Sequence, residues 1–246
     1  HHLLYADLAE PLALLRDRQG SGLGEYWHYA GRPGESEART AARYSDLMAR
    51  SQSFIADDVL SHCPLWGRRR LLDVGGGSGV FVCEALRRFP DLRATVFDLP
   101  DVAALAEERF AAEGVAARAT AQGGNMLGDP LPPGADVISL VRILHDHDDD
   151  AVRALLRAAR AAIASDGLLL VAEPMAGTPG AGGVGAYFHL YLWAMRSGRP
   201  RTRARLAALL EEAGFADIRE RATYQPLLVR VMTARPAASG PIDKPA

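Results

Sequence analysis

The chain has 246 residues, 48% of them hydrophobic, with 28 basic and 30 acidic side chains and a formal net charge of −2. This balance leaves no basic face for nucleic acid, and the hydrophobic share suits one sizeable α/β core. Its two cysteines, Cys63 and Cys83, lack CxxC spacing, which argues against a disulfide framework or zinc ribbon and for buried thiols in a reducing cytoplasmic setting.

No apolar run reaches the length of a membrane span, and no signal peptide is visible. The chain opens at His1 rather than at a methionine, so a longer parent is expected. Residues 1–17 are leucine-rich and broken by Pro11, which can open a second short helix. Residues 18–34 hold five glycines and a proline and read as a loop or linker. From Ala38 to Leu60 the pattern is helical, with Tyr44, Met48, Phe54, Ile55 and Leu60 as buried candidates.

After Arg70 strands and helices alternate. LLDV, ATVFDL, RATAQ, ADVISLVRIL and GLLLVAEP read as strands, and VFVCEALRRF, VAALAEERFAAEG and AVRALLRAARAAIA as helices. That order implies a parallel doubly wound sheet, with DIRERA and PLLVRVMTA adding an antiparallel edge pair at the C-terminal end. The final PAASGPIDKPA reads as disordered.

LLDVGGGSG (71–79) ends a strand and opens a helix, the setting in which a glycine loop binds ligands. Gly75, Gly77 and Gly79 give GxGxG, whereas the dinucleotide fingerprint needs glycine where Val80 stands. With Asp73 at the strand end, the loop suits S-adenosylmethionine, which has a ribose and a charged amino-acid tail but no phosphate. Asp98 closes the second strand, placed for ribose hydroxyls or, more blandly, as a helix N-cap, for which Asp101 is the better candidate. GGNM brings Asn125 and Met126 to the same edge, where an amide and a thioether can meet adenine; a Gly-Gly-Asn turn also exists without a ligand.

LLDVGGGSG, VFDLP, GGNM, LVRILHDHDD, LVAEP and GRPRTRARLAALLEEAGF together resemble the plant-type small-molecule O-methyltransferases that use S-adenosylmethionine, over about residues 40–235. AEPMAGTPG and AYFHLYLWAMRSGRPRT look more particularly like the acyclic carotenoid O-methyltransferases of purple phototrophic bacteria, which methylate the tertiary hydroxyl of hydroxyneurosporene- and demethylspheroidene-type substrates. The resemblance implies a class I methyltransferase Rossmann-like sheet over 67–235. Residues 1–66 are then a helical remnant of an N-terminal dimerisation domain, and 236–246 the tail. It also implies a donor site of Asp73, Gly75, Gly77, Gly79, Asp98, Leu99, Asn125, Met126 and Arg142, with Arg142 standing beside Val141, where the family has a lysine. Homodimerisation is a family property, left open for this shortened chain, and a carotenoid acceptor implies peripheral contact with a membrane.

VRILHDHDDD (141–150) admits three uses: a catalytic base, a metal site or a helix cap. By resemblance His145 is the general base, at the carboxyl end of the fourth strand, and Glu173 of VAEP flanks and orients it. On residue chemistry alone Glu173 is equally a polar strand terminus. The family's tryptophan after His-Asp is His147 here, so either histidine could be the base, with His145 preferred for reach. The family's second glutamate falls near Pro200 and is absent. The metal pattern HxHxDH is incomplete, since Asp150 replaces its last histidine, and no metal is expected. Asp148–Asp150 read as the cap of the helix beginning near Ala151. Tyr187, Tyr191 and Met195 share a helical stripe, with Phe188 and Leu192 on the adjacent one; the pattern reads as core, and the resemblance implies an acceptor pocket. The competing readings are an NAD-dependent oxidoreductase, a C-methyltransferase, an enzyme for another small molecule, and an S-adenosylmethionine-binding protein without catalysis.

Overall fold

The computed structural model describes residues 2–17, 20–26 and 51–238. Three short helices come first: α1 His2–Ala9, α2 Pro11–Arg16 and α3 Gly22–Tyr26. Helix α4 covers 51–62, and Tyr44 and Met48 lie outside the described residues. Then β1 Arg70–Val74, α5 Val80–Arg88, β2 Arg93–Asp98, α6 Pro100–Ala112, β3 Ala119–Gly123 and β4 Ala135–Val141 follow. A 3-10 turn, Leu144–Asp146, leads into α7 Asp149–Ala162 and β5 Ile163–Glu173. Helices α8 Gly182–Ala194 and α9 Arg203–Glu212 and strands β6 Phe215–Arg221 and β7 Arg230–Pro236 complete the described fold.

The seven strands lie in the order β3-β2-β1-β4-β5-β7-β6. Pairing is parallel from β3 to β5 and antiparallel at β5–β7 and β6–β7, as the alternation of elements requires. Chain direction across the sheet reverses between β1 and β4, so a crevice opens beyond their carboxyl ends. Strand β4 is almost wholly buried because helices cover both faces. In α7, Val152, Leu155, Leu156, Ala159 and Ala162 form one buried stripe, while Arg153 and Arg157 escape it. Each buried leucine there contributes about 1.5–3 kcal/mol of transfer free energy.

Two elements depart from the sequence expectation. The glycine-rich stretch contains α3, because Asp7 accepts the N–H groups of Gly22 and Leu23 at 2.8 and 2.9 Å and supplies the helix start that glycine alone does not. Ser21 Oγ also donates to the Ala194 carbonyl at 2.6 Å, fixing the segment to α8. Phe54 is 69% exposed rather than buried, whereas its neighbours Ile55, Val59 and Leu60 fill the core beside α5. Among the described residues no helix is long and apolar enough to cross a membrane. Cys63 and Cys83 are free and buried.

Candidate active site

Strand β1 delivers Asp73 under the glycine loop. Its Oδ1 accepts from Ser139 Oγ on the neighbouring β4 at 2.6 Å, and its Oδ2 is buried with no hydrogen-bond partner. Burial pushes this carboxyl up to about 7 against the lowering effect of Ser139, with Asp98 adding to the rise. Asp98, at the end of β2, accepts Gly77 N–H on Oδ2 at 2.8 Å and Leu99 N–H on Oδ1 at 2.7 Å. Burial raises its pKa too, opposed by those two bonds. The N-cap position of α6 is Leu99, so neither Asp98 nor Asp101 serves as the cap; Pro100 follows at the first helical position and Asp101 lies in the first turn.

The glycines do different jobs. A Cβ on Gly79 would strike the Phe110 ring of α6, whereas one on Gly77 would meet nothing within 4 Å, which leaves the crevice side of the loop open. Ile143 and Met126 reach over Gly75 from the other side. Asn125 makes a local turn: its carboxamide oxygen accepts Leu127 N–H at 3.0 Å and its own N–H donates to Asp129. Orphaned Asp73 Oδ2, two carboxylates and an unfilled glycine cradle fit a ligand with a cationic amino-acid tail and a ribose.

Beyond β4 the chain turns sharply. Arg142 adopts φ 62°, uncommon for a residue with a Cβ, and its guanidinium donates to Ser51 Oγ at 3.1 Å. Glu173 Oε1 then accepts the N–H groups of Ile143 and Leu144 at 2.9 and 2.6 Å. Its Oε2 takes a hydrogen bond from Nδ1 of His145, since a carboxylate only accepts. Nε2 of His145 lies 3.3 Å from Asp146 Oδ1, and the Phe188 ring stands 5.2 Å away. Burial pulls the imidazole pKa down, but Asp146 and Glu173 outweigh it and the net shift is upward. His147 is pushed down to about 4, chiefly by burial and then by His145. The structure thus brings His145, not His147, onto Glu173.

The acidic run serves another purpose than capping. Asp148 occupies the N-cap position of α7 without a side-chain cap bond. Asp149 instead gathers arginines: Arg201 Nε donates at 2.9 Å and Arg205 at 2.7 Å, and Arg199 pairs with it at 3.1 Å. Burial would raise this carboxyl, but hydrogen bonds from Arg205, Arg201 and Arg199 hold it well below the usual carboxylate range. Arg201, 4% exposed, also donates to the carbonyls of Leu144 and His147 at 2.5 and 2.6 Å. Arg199 N–H donates to the His145 carbonyl and Ser197 Oγ to that of Asp146, both at 2.8 Å. Residues 197–201 therefore hold every carbonyl of the turn that carries the imidazole. In the sequence GRPRT carries part of the family resemblance and lacks the family's glutamate; an arginine three residues past a glycine is the one signal of this clamp. Among the described residues no three His, Cys, Asp or Glu side chains converge as a metal site would require.

Next to this turn lies a cavity of about 710 Å³, lined by Phe54, Met175, Val184, Tyr187, Phe188 and Leu228 among others, with Arg142 and Ser51 on its wall. Tyr187 and Phe188 of the helical stripe face it, whereas Leu192 and Met195 are core.

Fold and site together define a Rossmann-like α/β protein with a glycine loop between β1 and α5 and an apolar chamber that Arg142, just past β4, borders. The chain belongs to the O-methyltransferase domain family, whose profile matches residues 5–216. It is 42% identical over 238 residues to the demethylspheroidene O-methyltransferase of Cereibacter sphaeroides, covering 95% of this chain and 62% of that one. It is 39% identical over 236 residues to the same-named enzyme of Rhodobacter capsulatus, covering 95% and 58%. The chain thus spans about six-tenths of the length of these relatives. The solved structure of mitomycin 7-O-methyltransferase superposes with a TM-score of 0.81 at 26% identity, over 95% of this chain and 68% of that one. An O-methyltransferase of neocarzinostatin biosynthesis, solved with S-adenosyl-L-homocysteine and 1,4-dihydroxy-2-naphthoic acid, gives 0.74 at 30% identity, over 82% and 59%.

Proposed function

We propose that this chain is the catalytic part of an S-adenosylmethionine-dependent O-methyltransferase acting on a hydroxyl of an apolar small molecule, an acyclic carotenoid of the demethylspheroidene type. The observation that carries the reading is the buried His145–Glu173 pair, close in sequence to Ile143, which reaches Gly75 of the glycine loop, and in ring contact with Phe188, which lines the apolar cavity. Both first-named relatives are demethylspheroidene O-methyltransferases, which favours that acceptor.

When bound, the donor supplies a sulfonium methyl group that is already an activated electrophile. Asp73 would hold its cationic amino-acid end, and Asp98 with Leu99 its ribose hydroxyls. Gly75, Gly77 and Gly79 let the backbone approach it, with Asn125 and Met126 at the adenine edge. Arg142 has the charge to meet the donor carboxylate. Glu173 fixes Nδ1 of His145 as the protonated nitrogen, which leaves Nε2 as the atom that would accept the proton of the acceptor hydroxyl. Phe188 and the cavity wall hold the acceptor and exclude water. Residues 67–235 are read as the catalytic domain, 1–66 as part of a helical dimerisation segment and 236–246 as a tail. Helix α4 nevertheless packs into the same core as the sheet.

Incubation with methyl-labelled donor and, separately, demethylspheroidene, naphthols and chlorins tests this. Label transferred to the carotenoid oxygen is expected. Label on carbon, or on no acceptor despite donor binding, would count against it.

A further inference from the structure

Three walls meet at the mouth of the cavity. Helix α4 contributes Ser51, Phe54 and Ile55, α8 contributes Val184 and Tyr187, and the connection from β6 to β7 contributes Gln225, Leu227 and Leu228. The third wall is a loop closed on itself. Thr223 Oγ1 donates to the Val229 carbonyl at 2.7 Å, and the N–H groups of Leu228 and Val229 donate to the Gln225 carbonyl at 2.9 and 3.0 Å. Leu227 and Leu228 are 40% and 48% exposed, so packing alone does not hold them in place.

One buried side chain joins this loop to α4. Asp58 is 4% exposed, and its two oxygens accept the N–H groups of Tyr224 and Gln225 at 2.8 and 2.9 Å. His62, one turn further on, places Nδ1 3.0 Å from Asp58 Oδ1 and packs its ring edge-on against Tyr224 at 4.3 Å between centroids. A carboxylate is costly to bury, and here its hydrogen bonds go to two amides of a loop more than 160 residues away in sequence.

We propose that Asp58 is a positioning residue for the acceptor: by gripping the Tyr224 and Gln225 amides it sets where Leu227 and Leu228 stand opposite Phe54, and hence the width of the cavity mouth. This rests on reading the cavity as the acceptor site. Of the residues assigned to the donor only Arg142 borders this cavity, and the Asp58 bonds go to Tyr224 and Gln225, so the latch is expected to act on the acceptor far more than on the donor.

Asp58→Asn replaces one accepting oxygen with an amide NH₂, which cannot take an N–H. The expected result is an acceptor KM for demethylspheroidene about tenfold higher, equivalent to one lost charge-assisted bond. Donor-site affinity, read with S-adenosylhomocysteine, stays within about twofold, and kcat at saturation changes little. Amide exchange at residues 224–229 accelerates. Leu227→Ala, which alters the wall and leaves Asp58 intact, shows the same KM-only signature. An unchanged KM despite a released loop overturns the proposal, as does an equal loss of donor and acceptor affinity, or a Leu227→Ala variant with wild-type KM. Should the wild-type protein methylate no acceptor, the function proposed above fails. The latch is then judged by anilinonaphthalene sulfonate binding to the cavity, and identical affinity in wild type and Asp58→Asn sinks it.

Discussion

His145 sits between two carboxylates, Glu173 on Nδ1 and Asp146 3.3 Å from Nε2. A general base must be neutral, and this imidazole has its pKa raised above 6.5 because the carboxylates outweigh burial. Methyl transfer is therefore expected to rise with pH through a value above 6.5. Glu173→Gln removes one raising influence and should move that acid limb to lower pH, measurable as the kcat–pH profile. His145→Ala should cut kcat by about 10²–10⁴-fold with donor affinity intact, as isothermal titration would show. Asp73 behaves in the opposite sense for stability. Its folded pKa, pushed up to about 7 by burial, exceeds the ordinary carboxylate value of 3.8, so the folded state binds that proton more tightly and stability is lost as pH rises from about 4 through about 7. Asp73→Asn should accordingly raise the melting temperature at pH 8 by roughly 2–4 °C, on the order of 1 kcal/mol, while weakening the donor.

Among the elements, the turn at 144–147 depends on a partner fifty residues downstream. A Cβ on Gly198, whose φ is 74°, would collide with the carbonyl of His145 and the backbone of Asp146. Gly198→Ala should destabilise the fold by roughly 1–3 kcal/mol in urea and depress kcat, because the turn must move away. The regular elements were legible from periodicity: β1, β2, β4 and α5 to α7 lie where apolar runs and amphipathic spacing put them. Local pattern failed where a distant group decides. Asp7 makes a helix of a glycine-rich linker, and Arg199, Arg201 and Arg205 make Asp149 of the helix start a hub as well. Phe54 is exposed because it stands at the mouth of a cavity that no sequence spacing announces. The residues proposed for the site fall in six short motifs of the sequence; the Arg201 clamp and the Asp58 latch have no such mark, since each joins positions more than fifty residues apart.

For the whole molecule, the winding order of the parallel sheet reverses between β1 and β4, and the crevice this leaves beyond their carboxyl ends is the place proposed for the donor. Saturating S-adenosylhomocysteine at about 100 times its Kd should add about 2.7 kcal/mol, a rise of roughly 5–10 °C in thermal melts, whereas NADH should add nothing. A shift with NADH would reinstate the oxidoreductase reading that Val80 disfavours. Glu173 has a consequence of its own. One oxygen tethers the amides of Ile143 and Leu144 while the other steers the ring of the very next residue. Address and aim of the imidazole thus hang from a single side chain, and truncating it to alanine would unsettle both at once.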